Sequence, residues 1–244
     1  MYIHLIKTRY VNTYLVEEPG HMLVIDVSSN GVDYVLGYVR EELQREPAEI
    51  ELVICTHSDP DHSGGRVKLA QYCGAETGMP YVMSSRLGQF KSGPASMVNR
   101  LLTSAREGLR ARAWRMYANP ARSRRARMRP TYTPGIEQLQ HELPPAHHDL
   151  KHGRRLPGFD DWLIMHTPGH SWDSCCYFHV PTKSLVSGDT LLGSSVHGKL
   201  VKPAIYSSAG QMARSIARLK KLSPSAVYPG HGSVITGERL LTHL

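Results

Sequence analysis

The chain has 244 residues, with 29 Lys and Arg against 21 Asp and Glu and a formal net charge of +8. At 41% hydrophobic and 20% charged it reads as globular rather than disordered, and its length suits one α/β core. No apolar run reaches the about 18 residues of a membrane span, the charged start MYIHLIKTRYVNTYLVEE is no signal peptide, and four cysteines without a CxxC pair point to a reducing, cytoplasmic compartment.

In chain order, Tyr14–Val16 and Met22–Val27 are β-rich runs divided by the turn signal Glu18-Pro19-Gly20. Val32, Val35, Leu36, Val39 and Leu43 give residues 31–45 helical spacing. Glu51–Thr56 contains LVIC, a short apolar run expected to be a buried strand. It feeds HSDPDHSGG and a second helix over Val67–Cys73, with Pro80–Met83 as a further strand. In Ser96–Tyr117 the residues Val98, Leu101, Leu102, Ala105, Leu109, Ala113 and Met116 form one helical stripe, with arginines off it. Asn119–Pro134 has no periodicity. Strands are expected again at Trp162–His166, Cys176–Val180, Ser184–Val186 and Ala226–Tyr228, with a helix over Ala209–Leu222 and a last helical turn at Gly237–Leu241. This alternation predicts an α/β layered fold, a single domain over 1–244 with a helical insert at about 85–150.

Charge is local. Arg100–Arg129 holds ten arginines and one acid, Glu107, a segment of +9 that leaves the rest of the chain at −1. An anionic membrane surface, a nucleic acid and a lid that attracts anionic substrates are the partners such a segment suits.

His57-Ser58-Asp59-Pro60-Asp61-His62 packs four ligand-type side chains into six residues after a buried strand. Thr167-Pro168-Gly169-His170, Gly188-Asp189-Thr190 and Pro229-Gly230-His231-Gly232 each put a His or Asp in a glycine turn just after an apolar run. Loops at strand ends are where site residues converge in layered α/β folds. Imidazole and carboxylate together suit zinc, iron or manganese. Any one of these turns is weak evidence, since Asp and Ser also cap helices. Four in this order, each at a strand end, point to a metal centre. Gly193–Lys199 nearly spells a phosphate-binding loop, but Leu200 stands where Ser or Thr should hold Mg²⁺.

The order of motifs resembles the metallo-β-lactamase-fold superfamily, whose pattern is HxHxDH, TPGH, GDT and a late His. NTYLV…LVIDV, THSDPDHSGG, HTPGHSWDS, LVSGDTLL and VYPGHG carry the resemblance across most of the chain. It implies a four-layer αββα sandwich and two divalent ions, zinc first, with iron and manganese open. His57, Asp59 and His170 would hold one ion, Asp61, His62 and His231 the other, and Asp189 would bridge them. Asp26 resembles the family's acidic residue at the end of the second strand, with a structural role. Asp61 would also orient the nucleophile and exchange a proton. His197, Lys199 and Tyr206 would lie near the pocket mouth and touch substrate. The arginine-rich segment sits between two ligand-type motifs, where the resemblance implies that inserts shape the substrate pocket; that favours the lid, and a lid should be dispensable for metal binding. The chain departs from the pattern at Asp59, where the family usually has His. A carboxylate there resembles the diiron branch and favours a harder ion.

The activity implied is that of a metal-dependent hydrolase, a metal-bound hydroxide cleaving a small ester, thioester or lactone, anionic ones included. A diiron protein reducing oxygen or nitric oxide is the alternative suggested by Asp59, although with 13 residues after His231 a flavodoxin-like partner domain is not expected in the chain. A metal-dependent nuclease or phosphodiesterase is the alternative suggested by the arginines. There is no G-x-S-x-G elbow, and Cys175-Cys176 in an apolar run are expected to fill core.

Overall fold

The structure is a computed structural model that describes residues 1–8, 10–84, 94–110 and 146–244, with backbone alone at 83–84 and 94–97. The chain divides into two compact units, Met1–Met79 with Tyr117–His148, and Pro80–Met116 with Asp149–Leu244. Each has its own sheet and core, a mixed α/β arrangement as the alternation predicts. No helix among the described residues is long and apolar enough to cross a membrane.

The first unit begins with β1 (Tyr2–Lys7), β2 (Asn12–Glu18) and β3 (His21–Ile25), which pair antiparallel in sequence order. The β2–β3 turn needs Gly20, whose φ is +90°. From β3 the chain runs through α1 (Val32–Gly37) and a further helical turn to β4 (Ile50–Ile54), then through α2 (Pro60–Ser63) and α3 (Arg66–Cys73) to β5 (Glu76–Pro80). β3, β4 and β5 are parallel, as strands joined through helices must be when they share a direction. α3 ends on Gly74 in the left-handed conformation, at φ +71°. A short strand, β6 (His148–Leu150), completes this sheet. Val32, Val35, Leu36 and Val39 from α1 and its extension, with Leu69, Ala70 and Cys73 from α3, pack on Leu15, Val24 and Val53 of the sheet.

The second unit contributes β7 (Arg155–Leu156), β8 (Phe159–His166), β9 (Cys175–His179), β10 (Ser184–Gly188), a separate hairpin β11 (Leu192–Ser194) and β12 (Lys199–Val201), then β13 (Ala226–Pro229) and β14 (Ile235–Thr236). Its sheet order is β14-β13-β10-β9-β8-β7, antiparallel except for the parallel pair β10 and β13. Among the described residues between β5 and β6 the chain forms α4 (Tyr81–Ser84) and α5 (Pro94–Gly108). A longer-buried helix, α6 (Ala209–Lys220), lies between β12 and β13, capped by Ser208, whose hydroxyl accepts the Gln211 N–H. Met212, Ile216 and Leu219 lie along one face of α6 and pack on Phe178, Leu185 and Val227.

Several expectations are corrected. Pro80–Met83 is not a strand: the strand lies upstream at Glu76–Pro80, where Thr77 and Gly78 pair with Val53 and Ile54, and the chain turns helical at Tyr81. Gly237–Leu241 forms bends and turns rather than a helix. β1, whose residues alternate weakly, is an additional strand ahead of the expected first one. Of the helix expected over Ser96–Tyr117, α5 ends at Gly108 and residues 111–117 lie outside the described residues; its apolar stripe faces outward, with Val98, Leu101, Leu102 and the following Leu109 exposed, while Thr103 and Glu107 are buried. Residues 111–145, which hold most of the arginine-rich insert, lie outside the described residues.

Two outcomes test this core. Leu219 is fully buried, so Leu219→Ala should lower unfolding stability by about 2–5 kcal/mol in urea titration. All four cysteines are buried thiols, and burial pushes the Cys73 thiol up to about 12. The native protein should therefore resist alkylation at neutral pH while the urea-unfolded chain reacts at all four; rapid native labelling would contradict the packing.

Candidate metal centre

In the first unit the site grows from the carboxyl ends of two adjacent parallel strands. Asp26 follows β3 and Thr56-His57 follow β4, and the Asp26 N–H donates to Ile54 O at 3.0 Å. Asp26 adopts φ +60°, a conformation uncommon outside glycine and tolerated by Asp. Its carboxylate, fully buried, accepts the Thr56 N–H at 2.7 Å, the Thr56 hydroxyl at 2.8 Å and His62 Nδ1 at 2.8 Å. The Thr56 oxygen also lies 3.0 Å from His57 Nδ1.

These contacts assign the protons. A carboxylate only accepts, so His62 carries its hydrogen on Nδ1. The Thr56 hydroxyl spends its one hydrogen on Asp26 and accepts from His57 Nδ1–H. In both neutral rings Nε2 then bears the lone pair a metal needs. The two Nε2 atoms each stand beside a carboxylate: His57 Nε2 is 3.3 Å from Asp59 Oδ2, and His62 Nε2 is 3.7 Å from Asp61 Oδ2. Asp59 occupies the N-cap position of α2 but its side chain makes no capping hydrogen bond, so the helix-cap reading of HSDPDH does not hold for it. Asp59 and Asp61 are part-exposed, whereas both histidines are buried.

The second unit repeats the logic with one carboxylate and two histidines. Asp189 follows β10 and His231 follows β13, the parallel pair, so their shared carboxyl end presents both. His170 follows β8. Asp189 Oδ2 is 3.4 Å from His231 Nε2 and 3.7 Å from His170 Nε2. His170 Nδ1 is 2.8 Å from Ile205 O, a carbonyl that can only accept, which again leaves the lone pair on Nε2.

The turns that carry these side chains depend on close backbone approaches. A Cβ on Gly169, at φ +151°, would stand 2.5 Å from the Met212 Cα. A Cβ on Gly193 would meet Ser233 O at 1.9 Å, and one on Gly232 would meet Gly193 O at 1.8 Å. Gly193 N–H donates to His231 O at 3.1 Å and Gly193 O accepts from Ser233 N–H at 3.1 Å. Gly193, part of the near phosphate-binding loop, is thus a backbone support for His231. From α6, Ser215 donates to Pro168 O at 2.8 Å and Arg218 to His166 O at 2.7 Å. Burial holds the His166 imidazole below its usual range, and its Nε2 contacts Trp172 O.

Distance tests whether these donors fit an ion. Two ligands about 2.1 Å from a tetrahedral ion stand about 3.4 Å apart. The four His–Asp separations run from 3.3 to 3.7 Å, long for hydrogen bonds but suited to ligands sharing an ion. His57, Asp59, Asp61, His62, His170, Asp189 and His231 all belong to groups of side chains that could hold a metal ion.

The sequence matches the model of the Metallo-beta-lactamase superfamily over residues 6–231. The chain belongs to that superfamily. Among curated members, it is 29% identical over 100 residues to the probable metallo-hydrolase YqjP of Bacillus subtilis, covering 38% of this chain and 30% of that one. It is 22% identical over 231 residues to the beta-lactamase-like protein 2 homolog of Drosophila melanogaster, covering 92% and 59%. The chain therefore spans less than two thirds of either superfamily relative. The fold is shared with the metallo-beta-lactamase family protein TTHA1429 of Thermus thermophilus, at a TM-score of 0.62, 20% identity and coverage of 99% and 77%. It is also shared with TTHA1623 in a di-iron-bound form, at 0.57, 21% identity and coverage of 97% and 94%.

Of the remaining expected site residues, His197 and Lys199 are exposed at the β11–β12 hairpin and Tyr206 is half-buried beyond it. Motif reading misses the Asp26–Thr56 relay, because it gives Asp26 a structural role alone. Thr56→Val keeps the volume and removes the hydroxyl. It should weaken metal binding about 10- to 100-fold in chelator competition, and unchanged affinity would remove the relay from the site.

Proposed function

We propose that the protein is a metal-dependent hydrolase with a two-ion centre that cleaves a small ester, thioester or lactone. His57, Asp59 and His170 would hold one ion, Asp61, His62 and His231 the other, and Asp189 would serve both. The observation that carries this reading is the position of Asp189 Oδ2, within 3.4 and 3.7 Å of two histidine Nε2 atoms assigned to different ions. The matching His57–Asp59 and His62–Asp61 pairs, and membership of a superfamily that includes proteins named as probable metallo-hydrolases, support it.

A bound pair of divalent ions supplies acidity to water and charge to an oxyanion. The chain's own residues do the rest. Asp26, Thr56 and Ile205 fix the imidazole tautomers. Asp61, part-exposed beside His62, orients the attacking water and takes up its proton, then returns it to the leaving group. No side-chain nucleophile is required. His197, Lys199 and Tyr206 contact the substrate, and their cationic and polar tips suit an anionic one. Zinc is the first choice of ion, with iron and manganese as alternatives.

A second reading, a diiron redox protein, is favoured by one feature. Asp59 puts a hard carboxylate where the superfamily usually has His.

Protein purified without added metal should contain close to two ions per chain, and His170→Ala and Asp189→Ala should each lower that content. Turnover of a thioester, ester or lactone panel with zinc supports hydrolysis. Iron with a visible band that bleaches on reduction, and no turnover of the panel, supports the redox reading. Wild-type metal content in both variants would remove the ligand assignment.

A further inference from the structure

We propose, on the reading of His170 as a metal ligand, that α5 is a strut for His170, with Thr103 and Asn99 as positioning residues that act through the loop 205–208.

The inner line of α5 is polar. Asn99, Thr103 and Glu107 recur every four residues and so share one helix face. Asn99 Nδ2 donates to Ser207 O at 2.9 Å. Thr103 Oγ1 accepts from the Tyr206 N–H at 3.2 Å, and its own hydrogen has Tyr206 O at 3.3 Å and Arg100 O at 3.1 Å within reach. The helix thus holds the Tyr206 N–H and the Ser207 carbonyl, with the Tyr206 carbonyl within reach of the same hydroxyl.

The same loop grips the His170 turn from its other side. Ile205 O receives His170 Nδ1 at 2.8 Å. Ser207 N–H lies 2.8 Å from Gly169 O and 2.9 Å from His170 O, and Ser208 N–H donates to Gly169 O at 2.9 Å. Four consecutive residues therefore carry one rigid connection from α5 to the imidazole. Without Thr103, the Tyr206 N–H, half-buried, loses its acceptor, and the loop loses the partner that fixes the peptide next to Ile205. The Ile205 carbonyl is what keeps the His170 hydrogen on Nδ1 and its ring at one angle. Loosening it weakens His170 as a ligand while leaving the six other ligands untouched.

The outward-facing apolar stripe of α5 follows from this role. A helix serving only as a cover would turn its apolar stripe inward, whereas here the hydrogen-bonding side chains face the unit and Leu101, Leu102 and Leu109 do not.

The experiment uses the full chain and four variants: Thr103→Val, Thr103→Ser, Asn99→Ala and His170→Ala. Zinc affinity is measured by competition with a chromophoric chelator, the Co²⁺-loaded protein by its visible absorption spectrum, and the metal-free protein by its melting temperature. Thr103→Val should lose about 10-fold in affinity for one ion, alter the Co²⁺ spectrum and melt near wild type without metal. Thr103→Ser should restore both readouts, and Asn99→Ala should give a smaller change in the same direction. Wild-type affinity and spectrum in Thr103→Val and Asn99→Ala overturn the strut, as does a Thr103→Ser variant as impaired as the valine. If those hold wild-type values while His170→Ala loses an ion, only the strut fails. If wild type binds no ion, or His170→Ala binds as wild type, the ligand assignment fails and the strut with it.

Discussion

The proposed centre depends on where the hydrogens of its four imidazoles sit, and Nδ1 contacts settle three of them. A neutral histidine offers a metal only the nitrogen that lacks the proton, and the other nitrogen must find an acceptor that never donates. The chain meets this in three ways. His62 uses a carboxylate, His57 a hydroxyl already committed to that carboxylate, and His170 a main-chain carbonyl. Asp26 is the common root of the first two. Its burial would be costly alone, and three short hydrogen bonds from Thr56 and His62 offset that cost.

The fold delivers these groups by one geometric rule. Adjacent parallel strands end at the same edge, so residues just past their ends meet however far apart they are in sequence. β3 and β4 bring Asp26 to Thr56, and β10 and β13 bring Asp189 to His231. Backbone contact then tightens what strand pairing places. Gly193 and Gly232 approach so closely that neither admits a Cβ, which locks the turn holding His231 to the strand after Asp189.

The turns of the candidate ligands are legible in the sequence because their chemistry is local: HSDPDH, TPGH, GDT and PGHG each hold their donor within a few residues of the apolar run that ends before it. The supporting groups are not, because they are local only in space. Asp26 and Thr56 are thirty residues apart, and a lone threonine before a histidine carries no pattern. Ile205 acts through its carbonyl, which no side-chain reading detects. The same limit explains α5. Periodicity locates the helix and its apolar stripe, but a stripe does not say which face turns inward when the opposite face carries hydrogen bonds to a loop. At Pro80–Met83 a short apolar run suggests a strand, yet pairing with β4 selects the more polar Glu76–Pro80.

Asp59 bears on which ion the proposed centre prefers. With His at that position, two divalent ions would face Asp61 and Asp189 alone; Asp59 adds a third carboxylate and lowers the net charge of the centre by one. Added negative charge makes the ions weaker acids toward water, which disfavours hydrolysis at neutral pH, and makes a higher oxidation state easier to reach, which favours iron. The other ligands push the opposite way, since four imidazoles suit zinc as readily as iron. Asp59, like Asp61, is part-exposed, so water screens part of its charge. The hydrolytic reading therefore requires that this screening outweigh the extra electron density that Asp26 lends His62, leaving the ions acidic enough to deprotonate water, and the redox reading requires that it does not.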